Sequence, residues 1–220
     1  LFCAEVDYLH GIGRSYSGHT WITKRDSGGS SLFSAGCHAV DGLRWFVQDE
    51  AVEVSAYANT SAGNPLNYEY PPNMVTIIKF KSGLNCLVEV GTYCVRGLPR
   101  WYVNGDEGGL TVNGFDGVAG GITRTLRLKE KFEATIIETA AGPTRTFAPQ
   151  PPETMVDSDL PVVETDLKDY FNNVRDVIDG KAEQIVKHGE IKRVMRVIDT
   201  AFASAKSGAS VAFTELDAGG

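Results

Sequence analysis

The feature that most constrains the fold is a series of short segments, between residues 51 and 147, in which apolar and polar residues alternate. In the first of them Val52, Val54 and Ala56 alternate with Glu53 and Ser55. A period of two is typical of β-strands, and hairpin-length connections containing Gly, Pro or Asn make neighbouring strands antiparallel. Strands are predicted at residues 2–10, from residue 51, and at 74–81, 84–95, 101–104, 109–113, 123–129, 132–139 and 145–147.

Three other segments have helical spacing of their apolar residues. In residues 31–47, 166–179 and 190–206 the apolar side chains recur three and four positions apart, so we expect amphipathic helices that cover the sheet. Residues 150–161, rich in Pro, Asp and Ser, are interpreted as a surface connection, and residues 209–213 as a last short strand after a cap at Gly208. The predicted class is α+β, a large, mostly antiparallel open sheet with helices on one face.

Composition narrows the class of protein. The 220 residues are 42% hydrophobic, which is enough for one core, and since Leu1 already begins a strand pattern we expect the interior of a longer protein. A net charge of -7 argues against nucleic acid as a partner, and no apolar run approaches the roughly 20 residues that cross a bilayer. Four cysteines without a CxxC pair, and histidines without zinc-site spacing, lead us to expect reduced thiols, no metal and a cytoplasmic location.

A polar loop over residues 11–29 is the first candidate for chemistry. Its start, Gly11-Ile12-Gly13, lacks the third glycine of a dinucleotide fingerprint, and no helix is predicted to open there. The loop still offers donors and stacking surfaces suited to a hydroxylated or anionic small molecule. These are Arg14, Tyr16, Trp21, Lys24 and Arg25. A merely solvated loop is an equal alternative from the residues alone.

His38 is the second candidate, because it is a polar residue inside the apolar helix predicted at residues 31–47. Ser34 stands four residues earlier and Asp41 three residues later, so the three side chains share one face of that helix. The apolar stripe lies elsewhere on the helix, and we therefore expect His38 to face an open cleft beside the polar loop. The alternative is a core histidine satisfied by Asp41 or by the backbone.

The segment from Gly28 to Trp45 resembles the signature of the C-terminal domain of the Gfo/Idh/MocA oxidoreductases. The family pattern runs GGG, apolar residues, D-x-G-x-H-x-x-D and an apolar-R-W end, and the segment here reads GGSSLFSAGCHAVDGLRW. Further similarities follow in the family's order. They are VEV at residues 52–54, VNGDEGGL at residues 103–110, which is like the family's GTKG turn, and AFASA at residues 201–205. The resemblance covers essentially the whole chain.

This resemblance implies a two-domain enzyme in which residues 1–220 are the C-terminal substrate-binding and oligomerisation domain, with a fold like that of dihydrodipicolinate reductase. The N-terminal Rossmann domain, which would bind NAD or NADP and carry the catalytic lysine of an E-K-P motif, is not in this chain. The chain alone is then expected to be inactive. The implied substrates are sugars, polyols such as inositol and their derivatives, and the implied assembly is a homodimer or homotetramer through the open sheet face.

By the same resemblance His38 is the catalytic histidine, which exchanges a proton with the hydroxyl whose carbon exchanges hydride. Ser34 stands where the family has an aspartate, so the carboxylate's role is either lost or moved, for instance to Lys24 or Tyr93. The main hypothesis is therefore an oxidoreductase acting on a secondary alcohol. The alternatives are a catalytically silent sensor of nucleotide and sugar, and a free-standing dimerisation or carbohydrate-binding module.

Overall fold

Strands with alternating burial account for most of the ordered structure. The computed structural model describes residues 3–9, 21, 23–59, 69–92, 94–114, 119–126, 134–146 and 151–214. In those residues the strands are β1 (Cys3–Leu9), β2 (Ala51–Asn59), β3 (Asn73–Phe80), β4 (Asn85–Gly91), β5 (Trp101–Gly105), β6 (Gly108–Asn113), β7 (Ala119–Thr125), β8 (Ile136–Thr139), β9 (Gly142–Arg145), β10 (Met155–Ser158) and β11 (Val211–Ala212). The helices are α1 (Cys37–Phe46), α2 (Leu167–Ile178) and α3 (His188–Ser207), and a π-helical segment, Leu32–Gly36, runs directly into α1.

Nine strands form one sheet in the order β10-β7-β6-β5-β1-β4-β3-β2-β11, and β8 and β9 form a separate hairpin. Neighbouring strands in the sheet are antiparallel except β1 and β4, which are parallel. The first strand of the chain thus lies in the middle of the sheet, between β4 and β5. The predicted α+β class with a large, mostly antiparallel sheet is confirmed.

The core lies between one face of the sheet and the pair α1 and α3. Val6, Val54, Ile78 and Val88, on four strands that are neighbours in the sheet, are completely buried on this face. Helix α3 packs on β2 and against α1, and α1 also contacts β1. At the other end of the helix pair, Phe33 of the π-helical segment contacts Phe202 of α3 with ring centroids 5.2 Å apart. These two helices cover one face of the sheet, as predicted.

The prediction that the helix at residues 166–179 also covers the sheet is wrong. The helix forms nearly as expected, since Asp166 caps it by accepting a hydrogen bond from the Lys168 amide at 2.9 Å. However, none of its residues is buried. In the described part of the chain it packs closely against no other helix or strand. Amphipathic spacing shows that one side of a helix favours an apolar partner, but it does not identify that partner.

Several boundaries also differ from the predictions. The predicted surface connection at residues 150–161 contains an edge strand, β10, whose Thr123–Asp157 side-chain hydrogen bond of 2.6 Å joins it to β7. All four residues of β10 are exposed, so the strand has no burial alternation to reveal it. Strand β7 begins at Ala119 rather than at residue 123, and β8 begins at Ile136 rather than at residue 132. The predicted strand residues 127–129, 132–133 and 147 lie outside the described residues.

The sheet face opposite the helices carries a mixed surface. Tyr57 and Ile77 lie on it, exposed and half-buried respectively, whereas Phe80, Val88 and Val90 point into the core instead. Leu126, just after β7, is exposed. Among these apolar groups the same face also carries charged side chains, because Glu53 pairs with Lys79 across β2 and β3, and Asp7 pairs with Glu89 across β1 and β4. This face of the sheet is therefore partly apolar and partly charged.

Asp7 is buried on this charged face of the sheet. Only 4% of the residue is exposed, and in the described structure its Oδ1 atom has no hydrogen-bond partner. Burial, followed by the nearby carboxylates of Glu5 and Glu89, raises the pKa of Asp7 from 3.8 to about 7. The fold therefore favours the neutral form of this carboxyl group.

No helix in the described part of the chain is long and apolar enough to cross a membrane.

Candidate functional site

Helix α1 holds His38 at the solvent side of the core. Ala39, Val40 and Leu43 are buried against the sheet, while His38 and Asp41 are exposed on the other side of the same helix. Two glycines allow the π-helical segment and α1 to pack closely against their neighbours. A Cβ atom at Gly36 would stand 2.6 Å from Leu32 Cδ1 and 3.2 Å from Val90 Cγ2, and one at Gly42 would stand 3.1 Å from the Trp101 ring. The alternative of a buried core histidine does not describe His38.

His38 and Asp41 line an open groove of about 970 Å³ between α1 and the start of α3. The α3 side of the groove contributes Glu190, Ile191 and Arg193 together with Met195. The preceding segment adds Ile185 and Val186, and the end of α1 adds Arg44 and Trp45. Apolar walls with several charged groups are suited to a polar small molecule or to a contact with another domain.

One end of the groove is a rigid turn made by the segment between α1 and β2. Lys81 donates to Glu50 at 3.0 Å, and this bond raises the pKa of Lys81. The Asp49 carboxylate accepts bonds from the amides of Glu50 at 2.7 Å and Ser82 at 3.1 Å. A hydrogen bond from the Ser82 side chain, followed by those from the two amides, lowers the pKa of Asp49. This end of the groove is therefore highly polar, and most of its charged groups already have hydrogen-bond partners within the chain.

Ser34 is exposed but does not line the groove. It lies in the π-helical segment, where its hydroxyl donates to the Ser30 carbonyl at 2.8 Å. Its other lone pairs can still accept a bond, but a hydroxyl cannot supply the negative charge of the family's aspartate. Cys37, which does line the groove, is half-buried, and burial raises the pKa of its thiol.

Lys24 and Trp21 lie away from the groove. Lys24 donates to Glu69 at 2.7 Å, and the backbone amide of Arg25 donates to the same carboxylate at 3.0 Å, which lowers the pKa of Glu69. Arg25 in turn lies over the Phe202 ring, 5.8 Å from its centroid, and Trp21 is exposed. The structure thus brings together His38 and Asp41 and leaves Lys24 tied to Glu69. Arg14, Tyr16 and Tyr93 lie outside the described residues.

The groove includes residues that the sequence did not suggest. Arg44, Glu190 and Arg193 all face it. Glu190 and Arg193 belong to no recognisable motif, and Arg44, which stands in the R-W end of the signature segment, was not singled out as a site residue. Glu190 and Arg193 stand three positions apart on α3, so a charged face beside the buried face of that helix was the available signal. Such a face is more often simply solvated, which is why it attracted no functional interpretation.

The described residues do not fit the pyrophosphate of a dinucleotide. Gly28 and Gly29 do precede a helical segment, but Gly29, Ser30 and Ser31 are buried, and the Ser30 hydroxyl already accepts the Phe33 amide bond at 2.9 Å. The N-termini of α2 and α3 are capped by Asp166 and Glu190. Pyrophosphate needs an open glycine turn with free amides. Nor does any group of three or more His, Cys, Asp or Glu side chains in the described structure form a metal site.

Comparisons with known proteins agree with this architecture. Residues 3–111 match the family model described as the GFO/IDH/MocA C-terminal domain. No curated protein sequence matches the chain. Among solved structures, an NAD-binding protein from Listeria innocua is similar with a TM-score of 0.81 and 29% identity, covering 96% of this chain and 59% of the other.

Two further structures share the fold at lower identity. The aldose-aldose oxidoreductase from Caulobacter crescentus, complexed with glycerol, has a TM-score of 0.67 and 18% identity, covering 96% of this chain and 55% of that one. The WlbA dehydrogenase from Bordetella pertussis, in complex with NADH and UDP-GlcNAcA, has a TM-score of 0.68 and 18% identity, with coverage of 98% and 56%. This chain thus spans little more than half the length of each. Over residues 3–111 this chain is similar to the GFO/IDH/MocA C-terminal domain.

Proposed function

We propose that this chain, residues 1–220, is the substrate-binding half of an NAD(P)-dependent oxidoreductase that acts on a secondary alcohol of a sugar, a polyol or a derivative. The observation that carries the proposal is the position of His38. It is exposed on the wall of a groove of about 970 Å³, with Asp41 beside it, on a helix whose opposite side, with Ala39, Val40 and Leu43, is buried in the core. A polar residue that a buried helix holds towards a groove is a candidate for chemistry.

The proposed role of His38 is to take the proton of the substrate hydroxyl in oxidation and to return it in reduction. An imidazole is suited to this exchange because it can hold or release a proton near neutral pH. A nicotinamide, bound by the remaining part of a full-length protein, would take up or supply the hydride. Asp41, three residues after His38, is proposed to orient the imidazole or a substrate hydroxyl.

Relatives of similar fold support the substrate class. One of them is complexed with glycerol, another is in complex with NADH and UDP-GlcNAcA, and a third is a levoglucosan dehydrogenase in complex with NADH. Polyhydroxylated ligands need several donors and acceptors, which Arg44, Glu190 and Arg193 offer in the groove. Arg14, Tyr16, Trp21, Lys24 and Ser34 remain proposed substrate contacts. Lys24 would have to exchange its bond with Glu69 for one with the substrate.

A second candidate function is a catalytically silent sensor of nucleotide and sugar in the cytoplasm. Ser34 favours it, because the hydroxyl is bonded to the Ser30 carbonyl and brings no carboxylate near His38. Binding would survive this replacement, whereas proton transfer would lose the charge that raises the basicity of the histidine.

The test is to express the full-length parent protein and to screen polyols and aldoses for nicotinamide reduction. In the active protein, His38→Asn is expected to lower turnover by roughly 100-fold, as loss of a general acid or base does, while cofactor affinity is kept. His188→Asn is the matched control, because His188 is an exposed histidine at the start of α3 that does not line the groove. Equal turnover in the two variants would remove His38 from the mechanism.

Ser34→Asp separates the enzyme from the sensor. If an inactive parent protein gains turnover when the carboxylate is introduced, the natural protein is a silent member of the family. If an active one loses turnover, Ser34 belongs to its own substrate pocket.

The proposed assembly is a homodimer or homotetramer through the sheet face opposite the helices, where Tyr57 and Tyr102 are exposed. Light scattering at micromolar concentration tests this. A monomer alone would contradict it.

A further inference from the structure

Helix α2 presents an apolar side to solvent. Leu167, Tyr170, Phe171, Val174 and Ile178 recur at three- and four-residue spacing and so lie along one side of the helix, and all five are exposed. The two at the ends are the most open, with 74% of Leu167 and 79% of Ile178 accessible. Asn173, Asp176 and Val177, which are half-buried, lie on a different side. The apolar side therefore points away from the domain to which α2 is attached.

The orientation of α2 is fixed by polar bonds. The Asn173 amide group donates to the Glu183 carbonyl at 2.9 Å and accepts from the Ile185 backbone amide at 3.1 Å. The amides of Lys181 and Ala182 also bond back to the Asp176 carbonyl, at 2.7 and 3.2 Å. A helix held by its polar side and exposed on its apolar side is arranged to meet a partner.

The polar side of α2 links the helix to the groove that contains His38. Ile185, which bonds to Asn173, is itself a lining residue of the groove, together with Val186. A partner seated on α2 would therefore be held at a fixed position next to the His38 groove.

The size of the apolar side favours a partner in the same polypeptide. Its five side chains expose roughly 400–500 Å² of apolar surface, less than the about 800 Å² per partner that a stable complex between separate chains buries. Domains of one chain meet through smaller interfaces, because the covalent link keeps them at high effective concentration. The relatives of similar fold carry such extra chain, since 41 to 45% of their length is not covered here.

We propose that the nucleotide-binding half of the full-length protein packs against the apolar side of α2. This inference rests on the proposed function in one respect, that the full-length protein has such a half. In this arrangement α2 sets the distance between bound nucleotide and His38, and it does so without touching substrate. It is a positioning element rather than part of the catalytic machinery.

The test compares hydrogen exchange of the α2 amides in the full-length protein and in the 220-residue chain. We expect at least tenfold slower exchange in the full-length protein, because the seated domain covers the helix. Phe171→Ser combined with Ile178→Ser should remove this protection and leave the melting temperature of the 220-residue chain unchanged. Val163→Ser, an equally exposed apolar residue before the helix, is the control that should keep the protection.

Equal exchange of α2 in the two proteins would overturn the proposal. So would protection that rises with the concentration of the 220-residue chain, because it would assign the apolar side to a second copy. The proposed enzymatic function fails differently, by absence of nicotinamide reduction with α2 still protected. If both hold, the α2 double variant should lower turnover at least tenfold while the dissociation constant for NAD(P)H stays within twofold.

Discussion

Replacement of Ser204 by alanine tests whether one buried hydroxyl holds α3 to the edge of the sheet. Ser204 is 1% exposed, and its Oγ accepts the bond from the Ala56 amide at 2.9 Å and donates to the Ala209 carbonyl at 2.7 Å. The reason for this arrangement is that β11 pairs with β2 at only two positions, Val54 and Glu53. The hydroxyl of Ser204 joins Ala56 of β2 to Ala209, just before that short strand begins.

The expected effect follows from what the variant leaves behind. Ser204→Ala orphans the buried Ala56 amide, which costs about 1–3 kcal/mol, and removes a second bond worth about 1 kcal/mol, although the exposed Ala209 carbonyl can turn to water instead. We expect a loss of roughly 2–3 kcal/mol in the free energy of unfolding. With a urea dependence of about 2 kcal/mol per molar, the midpoint should fall by roughly 1–1.5 M.

Urea unfolding of the 220-residue chain measures this change. Ser207→Ala is the control, because Ser207 is exposed one turn later and also donates to the Ala209 carbonyl, at 3.4 Å. It should cost within about 0.5 kcal/mol. If the two variants unfold at the same urea concentration, the bond between Ser204 and Ala56 does not stabilise the sheet edge and the reasoning is refuted.

Three further predictions concern other parts of the molecule. The pKa of Asp7 is raised from 3.8 to about 7, so the folded chain keeps a proton that the unfolded chain loses, and stability should fall as pH rises from about 4 to about 7 and then level off. Asp7→Asn should abolish this pH dependence and stabilise the chain by roughly 2 kcal/mol at pH 8, a value lowered to allow for water at the sheet face. Urea unfolding in which the stability of the variant depends on pH as that of the wild type does would contradict this prediction. Gly36→Ala should destabilise by about 1–3 kcal/mol through contact with Leu32 and Val90, whereas Gly189→Ala, where a Cβ meets nothing within 4 Å, should be neutral or stabilising in the same melts. Finally, calorimetry should detect no NAD(P) binding by the 220-residue chain, and tight binding would show that the pyrophosphate site has been misjudged.

The sequence predicted those elements whose burial alternates or repeats. The apolar residues of α1 were recognisable because Val40 and Leu43 lie on the sheet side, and β3 because buried residues alternate with less buried ones along its whole length. Strand β10 was not predicted because buried and exposed residues do not alternate in an edge strand that is exposed on both faces. The parallel pairing of β1 with β4 is a long-range contact that no local pattern encodes.

The candidate site was predicted in part. Spacing on α1 placed His38 and Asp41 on the side away from the core, and both line the groove. The other wall comes from α3, far along the chain, so Arg193 and Met195 could not be assigned to it from spacing alone. Ser34 lies in a π-helical segment, which changes the angular relation that an α-helical spacing of four residues assumes.

The central place of β1 has a consequence for how the chain folds during synthesis. Its partners, β4 and β5, are made much later, so after synthesis of β1 one of its edges stays unpaired until β4 has followed and the other until β5 (Trp101–Gly105) has followed. Unpaired strand edges are prone to aggregate, and contacts between distant residues form slowly. Nascent chains that end before β5 should therefore depend on a chaperone, and those that extend past β6 should be released from it.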